Sequence, residues 1–135
     1  MWLILSTLGY SKIIALDVED HVRIESVNKI VDYLKQDGIV PSDIKEFAKP
    51  DDIKEILSEN FNIDLFSPRD SANSGLRENS VDFIYSEEVF EHIGPDLLPG
   101  IMRECHRVLK SDGVISLYID YSDHYGSADK KNNAL

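Results

Sequence analysis

The stretch that decides the fold is Lys-Ile-Ile-Ala-Leu-Asp at residues 12–17, a short apolar run that ends on an acid. Because its side chains are apolar on both faces, we predict a buried strand of a parallel sheet. A helix closed by Gly38 follows, since apolar residues then recur at helical spacing. These residues are Ile24, Val27, Ile30, Val31 and Leu34.

Strands and helices continue to alternate downstream. We predict strands over 61–66, 81–85 and 114–119, two short acidic helices within 41–60, and a turn at 111–113. A longer helix carries the apolar stripe Leu98, Ile101, Met102, Cys105, Val108 and Leu109. This order predicts an α/β, doubly wound fold with a parallel sheet covered on both faces.

The composition and the net charge disfavour several classes of function. The chain has 14 Lys+Arg against 25 Asp+Glu and a net charge of −11, which argues against nucleic acid as a partner. A single cysteine, Cys105, excludes an internal disulfide and favours a cytoplasmic protein. No run approaches the ~18 apolar residues of a membrane span.

Ligands of open parallel sheets bind beyond the carboxyl ends of the strands. In this chain those positions are Asp17 and Val18, Asp70, Ser86 and Glu87, and residues 120–124. A strand-ending carboxylate can accept hydrogen bonds from both hydroxyls of a ribose. Such an acid is also common as a helix cap or turn residue, so both interpretations stay open here.

Residues 79–93 read Asn-Ser-Val-Asp-Phe-Ile-Tyr-Ser-Glu-Glu-Val-Phe-Glu-His-Ile. They resemble the fourth-strand motif of class I S-adenosylmethionine-dependent methyltransferases, of the broad type 11 group. Residues 103–113, Arg-Glu-Cys-His-Arg-Val-Leu-Lys-Ser-Asp-Gly, resemble its helix and turn before strand five. Residues 8–17 are similar to the segment that ends at the family's ribose-binding acid, and residues 68–70 and 74–76 to its adenine loop.

The resemblance implies a Rossmann-like sheet, S-adenosylmethionine as cofactor, and methyl transfer to a small-molecule, sugar-linked or lipid-linked acceptor. Its implied cofactor contacts are Asp17 to the ribose, Val18 beside the adenine, Asp70 to the adenine amino group, Ser71 through its backbone, and Ser86 with Glu87 beside the methionine moiety.

His124 follows the last predicted strand, and its ordinary pKa near 6.5 suits a catalytic base for the acceptor hydroxyl. A surface histidine in a loop is the competing interpretation. Asp120, Asp123 and His124 bring potential metal ligands together, but their spacing matches no specific site and the resemblance needs none. We therefore predict no metal.

The sequence departs from the family in one respect, because it contains no Gly-x-Gly for the methionine end of the cofactor. We accordingly expect an incomplete sheet that lacks its first and last strands: a partial domain over residues 1–125, a helical addition at about 41–60, and a polar tail at 126–135. Two alternatives stay open, a degenerate protein-interaction module and a gene fragment. An oligomer or a partner chain could complete the sheet.

Overall fold

The computed structural model describes residues 2–19, 22–44, 46–47 and 49–122. Its contacts divide the chain into two compact units, Met1–Ser74 and Gly75–Leu135, and each is described by itself. None of the described helices is both long enough and apolar enough to cross a membrane.

The first unit contains a two-stranded parallel sheet and three helices. Its elements are α1 (Trp2–Ser6), β1 (Ile13–Leu16), α2 (Ile24–Gln36), α3 (Pro50–Phe61), β2 (Ile63–Phe66) and a 3₁₀ turn at Ser71–Asn73. β1 pairs with β2 in an uninterrupted register, from Ile13 opposite Ile63 to Leu16 opposite Phe66. The strand predicted at residues 12–16 is therefore confirmed over 13–16, as is the helix after it. Its predicted burial on both faces is wrong, because Ile14 is 38% exposed.

One apolar core holds the first unit together. Ile63 and Leu65 alternate with the less buried Asp64 and Phe66, so one face of β2 is directed into this core. Its buried members are Leu3, Val27, Val31, Ile44, Phe47, Ile53, Leu57, Phe61, Ile63 and Leu65. Asn28 clamps the backbone of Phe47: its amide nitrogen donates to the Phe47 carbonyl (2.9 Å), and its amide oxygen accepts from the Phe47 N–H (2.8 Å).

The segment before α3 differs from the prediction of two short helices. The second Asp-Ile-Lys-Glu copy, at residues 52–55, lies in a helix that begins at Pro50. The described residues 41–44 and 46–47 form a turn and an irregular segment, because Phe47 is held in the core by Asn28. The predicted strand at 61–66 also begins later, at Ile63. α3 extends to Phe61, and Asn62 ends it in the left-handed conformation that asparagine tolerates (φ 52°).

The second unit contains another parallel strand pair. Its elements are β3 (Val81–Glu87), a 3₁₀ turn (Phe90–His92), α4 (Leu98–Val108) and β4 (Leu109–Tyr118). β4 lies parallel to β3, with Phe83 opposite Val114 and Glu87 opposite Tyr118. The four described strands are thus short, parallel and alternate with helices, which confirms the α/β class and fits a Rossmann-like fold. One continuous, doubly wound sheet stays a prediction.

The turn predicted at residues 111–113 lies inside β4 instead. There the register jumps, because Val81 faces Leu109 while Phe83 already faces Val114, so the residues between form a bulge. A Cβ on Gly113 would lie 2.8 Å from the Leu109 side chain, which explains the glycine at this point. The local Ser-Asp-Gly signal therefore produces an irregularity within the strand.

An arginine–carboxylate pair anchors α4. Arg107 donates through Nε and Nη2 to the two carboxylate oxygens of Glu104 (2.8 and 2.7 Å), and Nη2 also donates to the Leu76 carbonyl (2.7 Å). Glu104 is only 9% exposed, and its hydrogen bonds and charge raise the pKa of the Arg107 guanidinium. The pair therefore ties α4 to the chain that enters β3.

We expect Arg107→Met to lower the urea midpoint of unfolding, because it removes the two Arg107 donors from the buried Glu104 carboxylate. The partial exposure of the guanidinium keeps the effect below that of a fully buried pair. Urea denaturation would measure it. Arg103→Met, at an exposed position of the same helix, is the matched control. Equal midpoints for the two variants would contradict the anchoring role.

Candidate functional site

β1 and β2 end side by side, and their backbone pairing continues past the strand ends. The Asp17 N–H donates to the Phe66 carbonyl (3.1 Å), and the Arg69 N–H donates to the Asp17 carbonyl (2.6 Å). We call residues 17–19 and 67–72 the β1/β2 edge. The fold thus brings Asp17 next to the residue that precedes Asp70, as the strand-end argument predicts.

Asp17 is half-buried and uses one carboxylate oxygen locally. Its Oδ1 accepts from the Glu19 N–H (3.1 Å), which forms a turn stabilised by the aspartate side chain. Within the described residues, Oδ2 has no hydrogen-bond partner. The turn interpretation of Asp17 is therefore confirmed. Ribose binding stays a prediction, for which Oδ2 remains able to accept from a ligand.

Asp70 has the same arrangement. Its Oδ1 accepts from the Ala72 N–H (2.8 Å) and so caps the 3₁₀ turn at Ser71–Asn73, while the Asp70 carbonyl accepts from Asn73 N–H (3.0 Å). No donor from the described part of the chain reaches Oδ2. Ser71 is half-buried, and Val18 is 68% exposed, so both lie at the surface of this edge.

Two side chains that the sequence analysis did not single out connect the loops of the β1/β2 edge. Ser67 is 5% exposed, and its hydroxyl donates to the Glu19 carbonyl (2.9 Å). Lys54, on α3, donates from Nζ to the Ser67 carbonyl (2.5 Å). In the sequence, Ser67 was indicated only by its position directly after a predicted strand. Nothing local in the sequence indicates that Lys54 reaches this loop.

Ser86 and Glu87 lie in the second unit. The predicted strand ended at Tyr85, whereas β3 includes both residues, which are half-buried at its carboxyl end. Beyond them Glu88 adopts a left-handed conformation (φ 53°), and its N–H donates to the Tyr118 carbonyl (2.9 Å). Successive strand residues face opposite sides, so Ser86 and Glu87 present their side chains to different faces of the strand pair.

Tyr85 and Glu87 share one face of β3. Partial burial, the Glu87 charge and a hydrogen bond with Glu87 together raise the pKa of the Tyr85 phenol. The two side chains therefore interact electrostatically on one face of this strand.

Glu91 is a further carboxylate, which the sequence analysis did not name as a site residue. It lies in the 3₁₀ turn after β3, and both of its carboxylate oxygens are buried without a hydrogen-bond partner in the described part of the chain. Buried carboxylates without donors are destabilising and uncommon. The only indication of Glu91 in the sequence was its position within the motif at residues 79–93.

The remaining predicted residues are not tested. His124, the proposed base, and Asp123 lie outside the described residues. Asp120 is described, and its Oδ1 accepts from the Ser122 N–H (2.8 Å). Within residues 2–19, 22–44, 46–47 and 49–122, no group of three His, Cys, Asp or Glu side chains is arranged to hold a metal ion.

Comparison with known proteins gave a family match in the middle of the chain. A family model described as a methyltransferase domain matches residues 55–117, a little under half of the sequence. The match includes Asp70, Ser71, Ser86 and Glu87, whereas Asp17 and Val18 precede it. No curated protein and no solved structure was found to match the chain.

Proposed function

We propose, on the premise that residues 55–117 belong to the methyltransferase-domain family, that the chain binds S-adenosylmethionine at the β1/β2 edge and transfers its methyl group. The observation that carries the proposal is the pair of carboxylates at this edge. Asp17 and Asp70 each use Oδ1 in their own turn and keep Oδ2 for an external donor. Adenosine supplies such donors at its ribose hydroxyls and its amino group.

Each residue of the β1/β2 edge has a role in this proposal. Asp17 accepts from the ribose hydroxyls, and Asp70 accepts from the adenine amino group. The exposed side chain of Val18 packs against the purine, and the backbone of Ser71 provides further polar contacts.

For the methionine end of the cofactor, the family resemblance alone implies the contacts. We assign Ser86 and Glu87 to this moiety, as the resemblance of residues 79–93 implies. The cofactor supplies a methyl group on a sulfonium, which a nucleophile displaces in line. Protein groups contribute alignment and, for a hydroxyl acceptor, a base that removes its proton. His124 is our candidate for that base, although it lies outside the described residues.

The acceptor we propose is a small molecule or a sugar-linked or lipid-linked one. A net charge of −11 does not favour a nucleic acid, whose phosphates would be repelled. The single cysteine supports a cytoplasmic setting.

Thermal unfolding with and without S-adenosylhomocysteine, the demethylated product, tests the proposal. A ligand at 100 times its Kd stabilises the folded state by about 2.7 kcal/mol, which raises the Tm of a chain of this size by several degrees. Homocysteine alone is the control and should leave the Tm unchanged. A cooperative transition that S-adenosylhomocysteine does not move would exclude cofactor binding and favour the protein-interaction alternative.

Replacement of Asp70 tests the adenine contact. We expect Asp70→Ala to weaken S-adenosylhomocysteine binding by about 0.5–1.5 kcal/mol, the usual net value of one hydrogen bond at a site open to solvent. Calorimetry with the inosine analogue, which carries a carbonyl in place of the amino group, isolates that contact. The analogue should bind wild type and Asp70→Ala equally, and a further loss in the variant would mean that Asp70 acts only through its turn.

A further inference from the structure

Arg69 lies on an aromatic ring at the β1/β2 edge. Its guanidinium carbon is 5.8 Å from the centroid of the Phe66 ring, within the range of a cation–π contact. Phe66 is the last residue of β2 and lies on the face opposite the buried Ile63 and Leu65. Arg69 itself is exposed, so the guanidinium is supported on one side and accessible to solvent.

The backbone of Arg69 joins the two carboxylates of this edge. Its N–H donates to the Asp17 carbonyl (2.6 Å), and the next residue is Asp70. Its guanidinium nevertheless forms no ion pair with either carboxylate, and the described residues offer it only the ring of Phe66. An arginine between two acids would ordinarily pair with one of them. Here its planar surface stays available.

We propose that Arg69 is the surface on which the adenine ring of the cofactor stacks, with Phe66 behind it. This inference rests on the proposed function and adds a residue to it. Guanidinium planes stack on nucleobases, and the flat, delocalised cation of arginine does so where the compact ammonium of lysine does not. Asp17 would then hold the ribose, Asp70 the amino group, and Arg69 the face of the purine.

An anion is the other ligand chemistry that an exposed arginine can recognise. The nearby carboxylates of Asp17 and Asp70 disfavour it, because they repel a phosphate that approaches Arg69. A neutral, planar ligand meets no such repulsion. The charge distribution around Arg69 therefore favours stacking of an uncharged base.

Calorimetric Kd values for S-adenosylhomocysteine and for adenosine test this role in Arg69→Lys and Arg69→Met. We expect both variants to weaken both ligands by the same factor, about three- to tenfold, because stacking acts on the adenosine part alone. The drop in adenine absorbance that accompanies stacking should be smaller in both variants. The Tm without ligand should stay within about a degree of wild type, because the replaced side chain is exposed. Arg77→Lys, an exposed arginine of the second unit, is the control and should bind as wild type does.

Four results would overturn the inference. Wild-type affinity in Arg69→Lys combined with weak binding in Arg69→Met would mean that charge matters and planarity does not. Wild-type affinity in both would remove Arg69 from the site while leaving the proposed function intact. If wild type itself binds neither ligand, the proposed function fails and this inference fails with it. If AMP binds wild type more tightly than adenosine does, and if Arg69→Met abolishes this difference, then Arg69 binds an anion.

Discussion

Phe47→Ala is expected to lower the free energy of unfolding by about 3–5 kcal/mol, the range for removing a buried aromatic ring. Phe47 is 2% exposed and among the most deeply buried large side chains of the first unit. Asn28 holds its backbone at both the N–H and the carbonyl, so the chain cannot move inward to fill the space. A residual cavity therefore adds to the lost transfer free energy.

Urea denaturation followed by circular dichroism would measure this loss. Small domains have a total stability of about 5–15 kcal/mol, so the change removes a large part of it. Tyr33→Ala is the matched control, since it truncates an aromatic ring that is 68% exposed on α2. We expect that control to change stability by less than about 1 kcal/mol. Similar losses in both variants would mean that Phe47 is not part of the core.

Asp17→Ala is expected to weaken S-adenosylhomocysteine binding by about 1.5–3 kcal/mol, the range for hydrogen bonds to a charged group. That corresponds to a rise in Kd of roughly 10- to 150-fold. The variant loses Oδ2, the carboxylate oxygen to which no described residue donates a hydrogen bond. Because Oδ1 also forms the turn to Glu19, the Tm of the unliganded variant must be measured alongside.

A 2′-deoxy analogue of the ligand separates the two roles of Asp17. Wild type should bind it more weakly than S-adenosylhomocysteine, whereas Asp17→Ala should bind both alike, because the missing hydroxyl no longer has an acceptor. Glu25→Ala, an exposed carboxylate at the start of α2, controls for the change in net charge. An unchanged Kd in Asp17→Ala would remove this residue from the site.

The strand-end positions were predictable because they depend on short-range patterns. The apolar run at 13–16 and the alternation at 63–66 identify strands, and the chain must reach the same sheet edge after each parallel strand. Asp17 and Asp70 follow from that rule alone. The turn functions of both acids were equally predictable, since they involve residues only two positions away.

Long-range contacts explain what the sequence did not reveal. The repeated Asp-Ile-Lys-Glu predicts two helices, yet Phe47, just after the first copy, is fixed by Asn28 from 19 positions away. The Ser-Asp-Gly turn becomes a bulge because β4 pairs with β3 on both sides of it. No local pattern indicates the contacts of Arg69 and Lys54, since their partners are a ring and a carbonyl that only the fold brings near.

In both Asp17 and Asp70, one carboxylate oxygen forms a turn and the other stays available to a ligand. This arrangement affects how a ligand binds. In both acids the turn fixes the carboxylate before any ligand arrives, and Ser67 and Lys54 connect the surrounding loops from within the protein. The β1/β2 edge is therefore preorganised, so association at this edge requires little ordering of the chain. Its affinity should accordingly depend on the contacts themselves, and the free and bound forms of these loops should superimpose closely.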